Sequence, residues 1–300
     1  MIRPMAITVV GSMPVQPSTE ELASGYQTGE DPFERSLERA VAAQVECGVE
    51  IVSDGQTRDT MVNVFARHLR GIRMKERPIA IADIEWKGSI ALKDLERARS
   101  ILPKGRVLKG LITGPYTMSK GVVDQHYNDP AELATAFARA LNSEARAIEP
   151  VVNVIQLDEP FFSVEYPSIA KELVKKAFEG ITKPKALHVC GDVSKVFDRL
   201  TEMPVDILDH EFAAHPGLLS VLKEHSFKQS IGYGCVRSDD VRIETVDEIA
   251  ARLQNVMGIT GHERLLVDPD CGLRNIPLES ALGKLRNMAA ARDRVMADAR

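Results

Sequence analysis

The sequence predicts an α/β chain folded as a single (β/α)8 barrel, and three observations predict it. Its 300 residues exceed the about 250 that eight strand and helix units need. Short apolar runs alternate with amphipathic stretches from end to end, the pattern of strands and helices wound around a parallel sheet. Run after run ends in polar residues, as strands do where they open into the mouth of such a barrel.

The first run, Ile7 to Val10, ends in Gly11-Ser12 and is followed by helical spacing over Pro32 to Glu46. The second, Val49 to Ser53, continues into Asp54-Gly55-Gln56 and a helical stretch from Arg58 to Arg67. Next, Ile79 to Trp86 and Ser89 to Leu92, joined by Lys87-Gly88, read as a β-hairpin inserted before the third strand. That strand, Val107 to Ile112, ends in Thr113-Gly114-Pro115, and a helix is predicted over Pro130 to Ile148. The fourth, Val151 to Leu157, ends in Asp158-Glu159-Pro160 before helical spacing over Ile169 to Phe178. The fifth and sixth, Ala186 to Val189 and Ile207 to Leu208, run into Cys190 and into Asp209-His210-Glu211. The seventh, Gln229 to Tyr233, precedes a helix over Val246 to Met257. The eighth, Leu265 to Val267, runs into Asp268-Pro269-Asp270-Cys271, and a helix over Leu278 to Met296 closes the chain. No internal repeat and no long Pro/Gly/Ser linker interrupts the alternation, so one domain over residues 1–300 is expected.

Apolar residues make up 44% and charged residues 27%, ordinary for a globular protein with a substantial core. The net charge is −5 and the Lys and Arg residues are scattered, which argues against a nucleic-acid partner. There is no apolar run of about 18 residues and no signal-peptide pattern in MIRPMAITVVGSMP, so no membrane association and a cytoplasmic location are expected. Cysteines in a reducing compartment are metal ligands, nucleophiles or core fillers more often than disulfides. Of the four, Cys47 and Cys235 read as core.

Alternate side chains of a strand point the same way, so His188 and Cys190 can project toward one point. Glu211 and Cys271, from the ends of later strands, complete a set made wholly of the usual zinc ligand types. Singly, each of these residues is better explained by burial. Their joint placement at strand ends, beside Gly191, Asp192 and Asp270, favours a metal. Zinc with two thiolates, a carboxylate and a neutral imidazole carries a charge near −1 and is poorly suited to making hydroxide. If Glu211 exchanges, a substrate thiol can enter, lose its proton and stay electron-rich, and the natural reaction is alkylation of that sulfur.

The segments VVGSMP, SDGQTRDTMV, LITGPYT, IQLDEP, HVCGD, DHEF and LLVDPDCGL occur in that order. With them the chain resembles, over nearly its whole length, the catalytic barrel of the cobalamin-independent methionine synthase family, in particular its short archaeal-type members. The separations of 21 positions from Cys190 to Glu211 and 60 from Glu211 to Cys271 agree with that resemblance. It implies that His188, Cys190, Glu211 and Cys271 bind Zn2+ and that Asp158 holds the ammonium group of L-homocysteine. It further implies that Val10 and Ser12 hold the substrate carboxylate. A polar substrate contact after the second strand falls on Asp54, with Gln56 as the rival.

The chain also departs from the family's folate-using members. It lacks their N-terminal second barrel, Gly121 stands near their folate-stacking tryptophan, and Asp239 takes the place of their proton-donating histidine, making it the candidate catalytic position. Tetrahydrofolate is a poor leaving group and needs an acid, whereas a methylcorrinoid delivers its methyl to a thiolate without one. The expectation is a zinc-dependent methyltransferase that converts L-homocysteine to methionine, with methylcobalamin or a methylated corrinoid protein as donor. The alternatives are another thiol acceptor such as coenzyme M, methyltetrahydrofolate as donor, and a zinc-stabilised binding module without chemistry.

Overall fold

The computed structural model describes residues 2–298. Each of the eight predicted runs holds a barrel strand: β1 Ala6–Ile7, β2 Ile51–Val52, β3 Val107–Thr113, β4 Val154–Asp158, β5 Lys185–Val189, β6 Ile207–His210, β7 Ser230–Val236 and β8 Leu265–Pro269. All neighbours pair in parallel, in the order β1-β8-β7-β6-β5-β4-β3-β2. A single parallel bridge between Thr8 and Ile51 joins β2 back to β1, so the sheet is an α/β barrel. Among the described residues no helix is long and apolar enough to cross a membrane.

The period of two along each strand stacks the barrel interior in layers. At the strand starts Ala6, Ile51, Val154, Ala186, Ile207 and Leu266 form a small apolar cluster that plugs the floor. Two residues further along, Lys109, Gln156, His188, Asp209 and Asp268 form a buried polar layer. Two further again come Val10, Asp158, Cys190 and Glu211, at the mouth. β7 makes the polar layer possible by contributing no side chain at Gly232, where a Cβ would lie 2.8 Å from the Asp209 carboxyl carbon and 3.0 Å from Asp268 Oδ2.

The larger core lies between the sheet and its helices. Predicted and observed helices agree closely: Phe33–Glu46, Pro130–Ile148, Ala170–Ala177, Val246–Thr260 and Leu278–Asp298. The stretch Arg58 to Arg67 shortens to Met61–Ala66, because Thr60 caps it by accepting from Asn63 N. A helix not predicted, Thr19–Thr28, opens with a Ser18/Glu21 capping box and buries none of its residues.

The hairpin before β3 is present, but its partner strand differs from the expectation. Ile79–Trp86 pairs antiparallel with the preceding segment Leu69–Arg73, and Ser89 to Leu92 is not a strand. The reason is a buried carboxylate. Glu144 accepts from Trp86 Nε1 at 2.8 Å, Ser89 Oγ at 3.0 Å, Ile90 N at 2.9 Å and Ala91 N at 2.8 Å. Backbone donors that a strand would give to a neighbour are thereby committed to a side chain, and Leu92–Ile101 starts as a helix instead.

Candidate metal centre

Four side chains meet at the mouth. Ligand atoms of His188, Cys190, Glu211 and Cys271 all lie within 4.8 Å of one another. His188 Nε2 is 3.1 Å from Cys190 Sγ, and Cys190 Sγ is 3.3 Å from Cys271 Sγ. A tetrahedral zinc site with ordinary bond lengths separates its ligand atoms by roughly 3.3 to 3.8 Å, so donor set and spacing both fit that ion. The fit follows from the strands: β5 ends with His188 and Cys190 on one side, β6 delivers Glu211 and β8 delivers Cys271.

The electrostatics agree. The hydrogen bond from Cys190 holds the Cys271 thiol well below its ordinary range, and the neighbouring His188 pulls the same way. On the other side of the His188 ring, Nδ1 lies 3.1 Å from Asp209 Oδ1. Burial pushes the Glu211 carboxyl up, the Cys271 sulfur adds to this, and His215 Nε2 stands 3.6 Å from Glu211 Oε2. His210, the other histidine beside Glu211, turns into the core, where burial lowers its pKa to about 4.

A cavity of about 300 Å³ adjoins these ligands, and Val10, Ser12, Gln56, Asp158 and Arg274 line it. Asp158 Oδ1 accepts from Gln156 Nε2 at 2.7 Å, the same nitrogen donates to Val10 O at 3.0 Å, and Lys109 Nζ donates to Gln156 Oε1 at 2.6 Å. Burial raises the Asp158 carboxyl to about 6, against the pull of His188 and of this hydrogen bond. The cavity wall includes Gly272, because a Cβ there would lie 2.1 Å from Ser12 Oγ.

Of the nine positions expected in the site, the structure gathers His188, Cys190, Glu211, Cys271, Val10, Ser12 and Asp158 around one mouth. Asp54 lines a neighbouring cavity of about 230 Å³, and burial raises its carboxyl to about 6. Gln56 borders both cavities. Asp239 is not brought in: it is an exposed residue paired with Arg237 at 2.7 Å, which lowers its pKa. Cys47 and Cys235 are buried in the core. The sequence reading did not single out Arg274, whose only signal was a basic residue three positions beyond Cys271.

Residues 5–294 match the family model described as cobalamin-independent synthase, catalytic domain. The methionine synthase of Methanothermobacter marburgensis is 37% identical, the match covering 96% of this chain and 99% of the relative. That of Methanocaldococcus jannaschii is 35% identical over 96% of this chain and 98% of the relative. A B12-independent methionine synthase from Shewanella sp. W3-18-1, solved in complex with selenomethionine, shares the fold with a TM-score of 0.84 at 24% identity and covers 99% of both chains.

Proposed function

Because this chain belongs to the family of cobalamin-independent synthase catalytic domains, we propose that it transfers a methyl group to the thiol of L-homocysteine, giving methionine, as one barrel spanning the described residues. The observation that carries this reading is the meeting of a cluster of two cysteines, a histidine and a glutamate with a buried carboxylate, Asp158, at one cavity.

His188, Cys190, Glu211 and Cys271 would hold Zn2+, which supplies a charge that acidifies an incoming thiol and leaves its sulfur nucleophilic. The chain's own groups set up the rest. Asp209 keeps the proton of His188 on Nδ1 and so turns the Nε2 lone pair toward the sulfurs. Asp158, ionised above about pH 6, pairs with the substrate ammonium, and Gln156 fixes its orientation. Glu211, whose burial disfavours its charge, would be the donor to give way when a thiol enters. Val10 and Ser12 border the cavity where the amino-acid end would rest.

For the donor we favour methylcobalamin or a methylated corrinoid protein. The supporting observation is Asp239: it is held as a carboxylate by Arg237 at the surface, so it is no acid for a leaving pterin. The test is a parallel assay of zinc-loaded protein and L-homocysteine with methylcobalamin and with methyltetrahydrofolate. Methionine formation with the first alone is expected; turnover confined to the second would reverse the donor assignment. Coenzyme M in place of homocysteine is expected to be a poor acceptor, because it offers no ammonium to Asp158.

A further inference from the structure

Among the residues lining the metal cavity, Arg274 is the one Arg or Lys. It is half-buried and has little to hold it there. Its Nη1 donates to the backbone carbonyl of Asp59 at 2.8 Å, and it makes no ion pair among the described residues. The carboxylates around it are already engaged. Asp59 pairs with Arg67 at 2.8 Å, and Arg58 takes Asp31 at 2.6 Å and Asp94 as well. Asp54 accepts from Gln56 N at 3.0 Å. Burial depresses the Arg274 pKa, with Asp59 and Asp54 opposing.

A guanidinium has five donors in a fixed fork and binds carboxylates through two parallel hydrogen bonds. Leaving such a group part-buried with a single neutral partner is unfavourable unless an anion joins it. The segment carrying it places it beside Ser12, since Leu273 N donates to Ser12 O at 2.8 Å and the Ser12 hydroxyl rests against Gly272. The cavity therefore presents a buried carboxylate, Asp158, and an unpaired guanidinium, Arg274, together with a metal site.

We propose that Arg274 is a further, specificity-determining residue that joins Val10 and Ser12 at the α-carboxylate of the thiol acceptor, so that Asp158 and Arg274 supply the two charges that read an amino-acid zwitterion whose sulfur is directed to His188, Cys190, Glu211 and Cys271. This rests on the acceptor being an amino-acid thiol. The role belongs to the side chain's charge and fork: Arg274→Lys keeps the charge and loses the bidentate geometry, and Arg274→Gln loses both.

The test is calorimetric titration of the zinc-loaded protein with three thiols: L-homocysteine, 3-aminopropanethiol, which lacks the carboxylate, and 4-mercaptobutyrate, which lacks the ammonium. Arg274→Gln is expected to weaken L-homocysteine and 4-mercaptobutyrate by about 10- to 100-fold and 3-aminopropanethiol by less than about threefold, with Arg274→Lys intermediate for the first two. Asp158→Asn is expected to give the converse pattern, sparing only 4-mercaptobutyrate. Equal weakening of all three thiols by Arg274→Gln, or of none, would overturn the assignment. If the unaltered protein binds none of them, the acceptor reading fails first and takes the Arg274 assignment with it. Binding of 3-aminopropanethiol as tight as L-homocysteine in the unaltered protein would overturn Arg274 alone.

Discussion

Asp209 Oδ1 lies 3.1 Å from Nδ1 of His188, while Cys190 Sγ lies 3.1 Å from Nε2 on the other edge of the same ring. An ionised carboxylate there favours a proton on Nδ1, which would leave Nε2 to donate its lone pair to a metal. Burial alone would raise the Asp209 carboxyl, but His188 and Lys109 outweigh it and keep it ionised.

Asp209→Asn should therefore keep the shape and lose the function of that contact. An expected loss of about 10- to 100-fold in zinc affinity can be read by competition with a chromophoric chelator. Unchanged affinity would show that the ring is oriented by packing instead.

Removing the metal should leave the barrel folded. Cys190, Glu211 and Cys271 sit above a polar layer that, of the four, only His188 joins, and above an apolar floor that none of them enters, and a site built to exchange a ligand contributes little to folding. Chelated protein is expected to keep its far-ultraviolet circular dichroism and to unfold cooperatively, and Cys271→Ser should behave alike. Loss of secondary structure on chelation would make the site structural, and the chemistry proposed for it would go.

Homocysteine binding should weaken in acid. Asp158 is held near 6 by burial, so it protonates as pH falls through that value and can no longer pair with an ammonium. Affinity should drop by up to about tenfold per unit below pH 6, and Asp158→Asn should flatten that dependence. The effect on folding has the other sign. A carboxyl whose folded pKa is raised binds its proton more tightly in the folded state, so its stabilising contribution is present below its ordinary pKa and is lost as pH climbs to about 6. Affinity for L-homocysteine that stays level from pH 7 to 5 would remove Asp158 from the role of amine receptor.

Outside the site, Lys284 and Glu244 form a fully buried pair at 2.6 Å, in which Glu244 also accepts from Arg237 N at 2.8 Å. Lys284→Met strands that carboxylate and is expected to cost about 3 to 5 kcal/mol in urea denaturation. The double change Lys284→Met with Glu244→Leu should recover most of it. A single variant within about 0.5 kcal/mol of the parent would show that water reaches the carboxylate.

Much of this architecture was legible in the residues. Period-two spacing alone put His188 and Cys190 on one side of β5, and the polar strand ends marked the mouth where they meet Glu211 and Cys271. Contacts made across long stretches of chain were not legible. Nothing local in Ser89 to Leu92 announces that Glu144, more than 50 positions away, takes its backbone donors, so its alternation looked like a strand. Likewise Asp54 lines one cavity while Gln56, two positions on, borders both, and its left-handed backbone, φ 46°, is not signalled by its residue type. Arg274 escaped notice because its meaning lies in what fails to pair with it.

The single bridge at Thr8 and Ile51 divides the mouth into unequal parts. His188, Cys190, Glu211 and Cys271 extend from β5, β6 and β8, each held by a ladder of four or more residue pairs, whereas Ser12 and Gln56 extend from two-residue strands that meet at one point. Fewer backbone hydrogen bonds hold that seam, so the wall that carries Ser12 and Gln56 is expected to open at a lower free energy than the wall that carries His188, Cys190 and Glu211.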